Sequence, residues 1–273
     1  MIRKIAYLIF CLLFLSSCSL DGLGKIELKK HPKEPGPFSE EQKRDIPAGI
    51  GAQAGNLNIV TVGDSLTKGV GDSLNKGGYL NYLKLQLENE GGIRPKLVNL
   101  GIKGQRTDQL LACLDKTGTK EVMKDADVII ITIGGNDVMK VFRENITNLN
   151  IDDFKEAQEK YRTSLLAMLA KVKSINDSAD VYLVGLYNPF YKWTADVDEL
   201  TWILEDWNET GESAAARFDS TYFVRIDDIF AIPSEELLFQ DDYFHPNSKG
   251  YEQIGNRIYD SMEKHTLKKM VEN

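Results

Sequence analysis

Near the middle of the chain stands the run Val128-Ile129-Ile130-Ile131-Thr132-Ile133, followed directly by Gly134-Gly135-Asn136-Asp137. An almost unbroken apolar run is typical of a central strand in a parallel sheet, because such a strand is buried on both faces. Other runs predict strands at 57–62, 96–100, 181–186 and 222–226. Helical patterns separate them, the clearest at 154–175. This alternation predicts an α/β fold, a three-layer α/β/α sandwich around a mostly parallel five-stranded sheet.

A serine follows the first predicted strand at a turn. The strand is Leu57–Val62, and the turn reads Gly63-Asp64-Ser65-Leu66. Side chains at the carboxyl end of a strand in an open α/β sheet lie where ligands usually bind. Ser65 is therefore a candidate nucleophile, provided that a neighbouring base takes its proton. Taken alone, the pattern is explained equally well by a structural serine that caps a helix or a turn.

A candidate base comes from the last third of the chain. His31 lies in a Pro- and Lys-rich stretch and His265 lies among lysines, which leaves His245, three residues after Asp242. The carboxylate of Asp242 can hold Nδ1–H and fix the tautomer, so that Nε2 is free to accept a serine proton. Two alternatives stay open: a merely structural Asp–His pair, and a metal site, for which the sequence offers no third ligand cluster.

The residues after the central strand offer a hydrogen-bond donor. Gly134 and Gly135 let the backbone approach a ligand closely, and the side chain of Asn136 can donate an N–H to a developing oxyanion. Gly-Asn-Asp is also ordinary turn chemistry, so this motif decides nothing alone. Together, the three motifs supply a nucleophile, an amide donor, a base and a carboxylate, which is what an acyl-transfer hydrolase needs.

At these motifs the chain resembles the SGNH hydrolases, also called the GDSL esterase/lipase family. The resemblance covers roughly residues 57–266 and rests on the segments 63–67, 98–107, 134–137 and 242–245. It implies a flavodoxin-like fold with Ser65 as nucleophile and with Asp242 and His245 completing a triad. The implied oxyanion donors are the Ser65 amide, Gly104 and Asn136. Such a mechanism needs neither a cofactor nor a metal. Lys103-Gly104-Gln105-Arg106 is more basic than the family usually shows, which leaves the substrate class open.

Aromatic side chains cluster after the fourth predicted strand. The segment 187–193 reads Tyr-Asn-Pro-Phe-Tyr-Lys-Trp. Its place at a strand's carboxyl end predicts an acyl or sugar platform, with these substrate-binding candidates: Tyr187, Asn188, Phe190, Tyr191 and Trp193. A loop folded back over a small hydrophobic cluster is the alternative. Trp202 and Trp207 follow on a predicted helix, where we expect core packing.

The N-terminus has the pattern of an export signal. Residues 1–4 are basic at two positions, and 5–15 form an apolar stretch too short to span a bilayer. Leu15-Ser16-Ser17-Cys18 resembles a bacterial lipobox, which implies that 1–17 are removed as a signal peptide and that Cys18 is lipidated. An ordinary cleaved signal peptide is the alternative. Residues 18–55, rich in charge, proline and glycine, are predicted to be a flexible tether, and 56–273 the hydrolase domain.

These features predict a serine esterase that is lipid-anchored on the extracytoplasmic face of a bacterial membrane. Its expected partners are the ester substrate and, through the anchor, the membrane. The formal net charge of −8 gives no case for nucleic acid. Short-acyl esters, such as O-acetyl groups of envelope glycans, are the expected substrates, because the sequence contains no long apolar lid segment. A lysophospholipase or lipase is the first alternative, and a non-catalytic envelope protein that binds a glycan or a partner is the second.

Overall fold

The computed structural model describes residues 56–74, 77–90, 92–145, 150–191, 198–232 and 236–272. The predicted signal peptide, Cys18 and the tether lie outside these ranges, as does Trp193. The sheet has five strands, all parallel, in the order β2-β1-β3-β4-β5. The strands are β1 (Asn56–Gly63), β2 (Arg94–Gly101), β3 (Val128–Thr132), β4 (Asp180–Val184) and β5 (Thr221–Val224).

Helices occupy most of the connections between the strands. They are α1 (Ser65–Lys68), α2 (Tyr79–Asn89), α3 (Thr107–Cys113), α4 (Thr117–Lys124), α5 (Gly135–Glu144), α6 (Ile151–Ile175), α7 (Asp198–Ala215), α8 (Ser248–Met262) and α9 (Lys268–Glu272). A 3-10 turn covers Asp228–Phe230, and a π-helical turn covers Glu263–Leu267. Across the described ranges, no helix combines the length and the apolar character needed to cross a membrane.

The central strand β3 shows why the molecule has three layers. Successive side chains of a strand point to opposite faces of the sheet. Ile129 and Ile131 belong to a core that they share with α3 to α7, whereas Val128 and Ile130 belong to a second core with α2 and α8. The predicted α/β/α sandwich is therefore confirmed, and its sheet is wholly parallel rather than mostly parallel.

The end of β4 differs from the predicted strand at 181–186 for a local reason. Asn208 of α7 accepts the backbone N–H of Leu186 at 2.7 Å and donates to the Leu186 carbonyl at 2.9 Å. These two bonds replace ladder bonds, so the strand ends at Val184.

Helix α7 corrects the expectation that both of its tryptophans pack in the core. Trp207 is 1% exposed and stacks on Tyr161 of α6, with ring centroids 4.8 Å apart. Trp202 is 61% exposed. Five residues at about 100° each place the two side chains roughly 140° apart around the helix axis. Only one of the two can therefore face the core.

The strand order also determines where a site can form. From β1 the chain moves to β2 on one side, and it then crosses back to β3 on the other side. Connections that leave in opposite directions open a crevice at the carboxyl ends of the two strands, which is where ligands bind in open α/β sheets. The loops after β1 and β3 flank this crevice.

Candidate active site

Ser65 is the first residue of α1 and lies directly beyond the carboxyl end of β1. Gly63 has a φ of 140°, and a Cβ at this position would lie 2.1 Å from the Thr132 carbonyl oxygen. Only glycine therefore lets β1 turn so close to β3. Asp64 caps the helix by accepting the Leu66 N–H at 3.0 Å. Because Ser65 opens the helix, its own N–H has no acceptor within the helix.

A chain of hydrogen bonds joins Ser65, His245 and Asp242. His245 Nε2 lies 2.9 Å from Ser65 Oγ, and His245 Nδ1 lies 2.6 Å from Asp242 Oδ2. When Nδ1–H donates to the carboxylate, Nε2 is the unprotonated nitrogen and can accept the serine proton. The structure thus brings together three residues that are 180 and 3 positions apart in the chain.

Asp242 is held in its ionised form. Burial raises the pKa of Asp242, but hydrogen bonds from the His245 ring and from the backbone N–H groups of His245 and Phe244 outweigh burial and lower that pKa below its usual value. The two backbone bonds measure 3.0 and 2.9 Å and end on Asp242 Oδ1. An ionised Asp242 fixes the orientation of the ring and stabilises an imidazolium that forms there.

Neighbouring segments hold the histidine loop in place. The Tyr187 hydroxyl donates to the Phe244 carbonyl at 2.6 Å. On the other side, the Ser248 hydroxyl donates to Asp72 Oδ1 at 2.7 Å, which ties the start of α8 to the loop after α1. His245 is therefore fixed relative to the segment that carries Ser65.

The predicted oxyanion donors lie at the ends of three adjacent strands. Ser65 follows β1, Gly104 lies in the loop after β2, and Asn136 lies in the first turn of α5 after β3. Asn136 Nδ2 donates to the Gln105 carbonyl at 3.1 Å, which links the second and third loops. A side-chain amide carries two N–H donors, so this bond leaves one for a ligand. Gly104 is exposed and has a φ of 79°, which favours glycine.

An apolar pocket extends from Ser65 between α5 and α7. Its apolar lining includes Ile133, Met139, Phe142, Leu186, Phe190, Leu200, Leu204 and Phe244. The cavity has a volume of about 50 Å³. Since an engineered cavity of about 150 Å³ binds benzene, a cavity of about 50 Å³ has room for only a few carbon atoms. The arrangement can thus present an ester carbonyl to Ser65 and receive a short apolar chain behind it.

The aromatic segment after β4 contributes two buried side chains to the wall of the pocket. Tyr187 and Phe190 line the pocket and are 8% and 3% exposed. Tyr187 also stacks on Phe230, with ring centroids 4.0 Å apart. Asn188 accepts the Phe190 N–H at 2.9 Å and, like Tyr191, lies outside the pocket lining. The segment therefore combines the two sequence interpretations, since Tyr187 and Phe190 belong both to the pocket and to the hydrophobic cores.

Sequence reasoning missed the polar residues behind the site, of which Asp64 is buried and Asp137 is partly buried. Asp64 and Asp137 each have their pKa raised to about 6, first of all by burial. Asp64 accepts the Thr132 hydroxyl, and Asp137 accepts the Thr107 hydroxyl. Thr132 could have indicated a hydrogen bond inside the core, because it is the one polar residue in the apolar run 128–133.

A metal site was the alternative for the Asp242–His245 pair. Among the described residues, no three His, Cys, Asp or Glu side chains gather as they would around a metal ion. Within these ranges the pair has no third candidate ligand, and the hydrogen bond to Ser65 accounts for the placement of His245.

Comparisons with known proteins agree with this geometry. Residues 61–253 match the model of the GDSL-like lipase/acylhydrolase family. The YpmR protein of Bacillus subtilis (strain 168) is 34% identical over 216 residues, which cover 78% of this chain and 84% of that protein. The spore germination lipase LipC of Bacillus licheniformis is 27% identical over 208 residues, covering 74% and 94%. The crystal structure of a lipase from a goat rumen metagenome has a TM-score of 0.69 at 26% identity, covering 77% and 99%.

The family match begins in β1 and ends in α8, so it includes all three motifs. The structural match extends over nearly the whole of the rumen lipase. A non-catalytic binding protein is therefore set aside. The chain belongs to the GDSL-like lipase/acylhydrolase family and is an ester-hydrolysing enzyme.

Proposed function

We propose that this enzyme hydrolyses short-acyl carboxylic esters through an acyl-enzyme on Ser65. The observation that carries the proposal is the hydrogen-bonded chain Ser65–His245–Asp242 at the opening of a small apolar pocket. A nucleophile needs an adjacent base, and the base needs a group that orients it. Here Ser65 Oγ lies 2.9 Å from His245 Nε2, and His245 Nδ1 lies 2.6 Å from Asp242 Oδ2.

The proposed reaction proceeds in two halves. Ser65 Oγ attacks the ester carbonyl while His245 Nε2 takes the proton of the serine hydroxyl. The backbone N–H groups of Ser65 and Gly104 and the side-chain amide of Asn136 bind the oxyanion. Collapse of this intermediate breaks the ester C–O bond, and His245 returns the proton to the leaving alcohol. Water then attacks the acyl carbon with His245 again as base, which releases the acid and restores Ser65.

The size of the pocket supports a short acyl group. A cavity of about 50 Å³ accommodates a chain of acetyl to butyryl length, whereas a longer chain requires Phe190 or α7 to move. O-acetyl groups on envelope glycans are one class of ester with such an acyl group. Closely packed protein interiors resist displacement of this kind, so a long chain meets a cost that a short chain avoids.

A lipase or lysophospholipase is the second candidate. It is favoured by the apolar character of the pocket wall and by two similar proteins that are named as lipases. If α7 moves away from α5, the pocket lengthens along an apolar path, and each buried methylene then adds about 0.8 kcal/mol of binding.

We also infer that the enzyme is attached to the extracytoplasmic face of a bacterial membrane. The support is the N-terminal pattern of basic residues, an apolar stretch and a lipobox that ends at Cys18. An enzyme at this location would act on substrates outside the cytoplasm, and esters of the cell envelope are among them.

The role of Ser65 can be tested with a serine-directed phosphonate. The wild-type enzyme should be labelled at Ser65, and Ser65→Ala should lose label together with at least about 10³-fold of its esterase activity. Ser174→Ala, which changes an exposed serine on α6, is the matched control and should behave like the wild type. Labelling that persists in Ser65→Ala would contradict the assignment.

The acyl preference can be tested with p-nitrophenyl esters of increasing chain length. For the wild type, kcat/KM should be highest from acetyl to butyryl and should fall steeply beyond about eight carbons, because the cavity holds only a few carbon atoms. Phe190→Ala should extend the preferred length, since its ring closes part of the pocket. Leu87→Ala opens a cavity in the opposite core and should leave the profile unchanged. A wild type that prefers long chains would favour the lipase candidate.

A further inference from the structure

Two pairs, each of a buried threonine and an aspartate, lie behind the residues that supply the oxyanion donors; Asp64 is buried and Asp137 is partly buried. Thr132 at the end of β3 donates its hydroxyl to Asp64 Oδ1 at 2.8 Å. Thr107 at the start of α3 donates its hydroxyl and its N–H to Asp137 Oδ2, each at 3.1 Å. The two threonines are 2% and 0% exposed. Each pair joins two segments, and each of these segments carries a different oxyanion donor.

The first pair fixes the turn at Ser65. Asp64 Oδ1 accepts the N–H of Leu66 at 3.0 Å, and Thr132 Oγ1 accepts the N–H of Thr67 at 3.2 Å. The two amides after Ser65 are thus bound to a pair that spans β1 and β3. This sets the direction of the first turn of α1, and with it the direction of the Ser65 N–H.

The bonds behind this pair run in one direction. Thr67 Oγ1 lies 2.8 Å from Thr132 Oγ1 and 3.0 Å from the Tyr79 hydroxyl. Because Thr132 gives its only proton to the carboxylate, Thr67 donates to Thr132 and Tyr79 donates to Thr67; the Val62 carbonyl, 3.4 Å from Thr67 Oγ1, is the more distant acceptor for the same proton. No member is more than 4% exposed. A buried polar network that is satisfied in this way specifies a single arrangement of its segments.

The second pair fixes the Gly104 loop against α5. Thr107 follows Gly104 by three residues, and Asp137 is the neighbour of Asn136. The bonds from Thr107 to Asp137 and from Asn136 to the Gln105 carbonyl therefore hold the two segments together at two points.

We propose that the pairs Thr132–Asp64 and Thr107–Asp137 are positioning residues, which keep the three oxyanion donors at hydrogen-bonding distance from one common point. The inference rests on the proposed function of the site. A donor stabilises the oxyanion only at about 2.7–3.1 Å from it, and a displacement of about 1 Å can cost about 10²-fold in rate. The three donors come from three separate loops, so their spacing depends on the bonds between those loops.

The molecule contains a matched control for the loss of such a hydroxyl. Thr266, 6% exposed, donates to Asp180 Oδ2 at 2.7 Å and lies 2.6 Å from the Tyr182 hydroxyl. As at Thr132, a buried threonine donates to an aspartate and shares a chain of hydrogen bonds with a tyrosine, although at Thr132 a second threonine, Thr67, lies between the two. It lies at the amino end of β4, on the edge of the sheet opposite to Ser65.

The test compares valine and serine at each threonine, with p-nitrophenyl acetate as substrate. Thr132→Val and Thr107→Val should each lower kcat by about 10–100-fold and change KM by less than about threefold. Thr132→Ser and Thr107→Ser keep the hydroxyl and should recover most of the lost kcat. Thr266→Val should lower the melting temperature as the other valine variants do, while kcat stays within about twofold of the wild type.

Three outcomes would overturn the proposal. The first is an equal loss of kcat in Thr266→Val, because the effect would then be general loosening. The second is a change in KM alone in Thr132→Val and Thr107→Val, and the third is full activity in both of these variants.

Melting curves establish whether each variant is folded. If Thr132→Val is not folded, Thr132→Ala replaces it. Phosphonate labelling keeps the two proposals apart: a wild type that is not labelled at Ser65 refutes the proposed function, whereas a labelled wild type with unimpaired variants refutes only the positioning role.

Discussion

Asp64 caps α1, but the burial of its carboxylate also lowers the stability of the folded protein. It is 4% exposed, and burial raises its pKa from 3.8 to about 6. The hydrogen bonds from Leu66 and Thr132 and the charge of His245 act in the opposite direction, and the charge of Asp137 adds to the increase. A carboxylate beside Ser65 is therefore retained at some expense in stability, which is common for buried groups at functional sites.

The raised pKa of Asp64 determines how the contribution of this residue to the stability of the protein depends on pH. Because the pKa of Asp64 is higher in the folded state, the folded protein binds the proton more tightly than the unfolded chain does. The contribution of Asp64 to the free energy of unfolding therefore falls as the pH rises from about 4 to about 6, and it stays low above that window. At about 1.4 kcal/mol for each tenfold change, the whole difference is at most about 3 kcal/mol.

Asp64→Asn should relieve this cost at neutral pH. The amide keeps an acceptor for Thr132 and Leu66 but carries no charge. In urea unfolding experiments, the free energy of unfolding of the variant minus that of the wild type should rise by up to about 3 kcal/mol between pH 4 and pH 6 and then level off. Titrating groups that do not interact with Asp64 are common to both proteins and cancel in the difference, whereas Asp137 and His245 interact with its charge and contribute to the rise. Asp125→Asn, at an exposed position, is the control. A difference for Asp64→Asn that does not vary with pH would refute this account.

At the scale of elements, α7 serves both the core and the pocket. Leu200, Leu204 and Trp207 recur at helical spacing on one side of α7; the leucines line the apolar pocket beside Ser65, and Trp207 stacks on Tyr161 of α6. The packing of α7 against α6 therefore determines how far the pocket can open.

Two tryptophans on this helix give a matched pair for testing its packing. Trp207→Ala should lower the free energy of unfolding by about 3–5 kcal/mol, because it removes a large buried side chain and leaves a cavity. Trp202→Ala, one and a half turns away and exposed, should change it by less than about 0.5 kcal/mol. Urea unfolding of both variants measures the contrast. Comparable losses would mean that Trp202 is buried in solution by a contact outside the described residues.

The sequence predicted the elements well wherever a local pattern determined them. The apolar run of β3 and the strand–turn motifs at Ser65 and Asn136 are contiguous in the chain, so their place at the sheet edge followed from the α/β pattern. The end of β4 could not be predicted, because it depends on Asn208, 22 residues from Leu186. The threonine–aspartate pairs were missed for the same reason: their members are 68 and 30 residues apart, and each alone is an ordinary polar residue.

At the scale of the whole molecule, the sheet separates the N-terminal connection from the site. The chain enters the sheet at Asn56 and reaches the Ser65 turn at Gly63. At about 3.3 Å for each residue, these points lie about 23 Å apart along β1. A membrane anchor upstream of Asn56 would thus connect to the amino end of β1, opposite to the crevice at Ser65.

Cys18→Ser should therefore release the enzyme without changing its activity. We expect the wild type to fractionate with membranes and its mature N-terminus to carry a diacylglyceryl Cys18, because two acyl chains suffice for stable anchoring. Cys18→Ser should appear in the soluble fraction with a kcat/KM for p-nitrophenyl acetate within about twofold of the wild type, since the hydrolase fold has its own cores. Cys113→Ser, in α3, is the control and should remain with the membrane. Mass spectrometry of the mature N-terminus and activity measurements on both fractions test the prediction. If Cys18→Ser stays on the membrane, a surface of the folded enzyme and not a lipid at Cys18 holds it there.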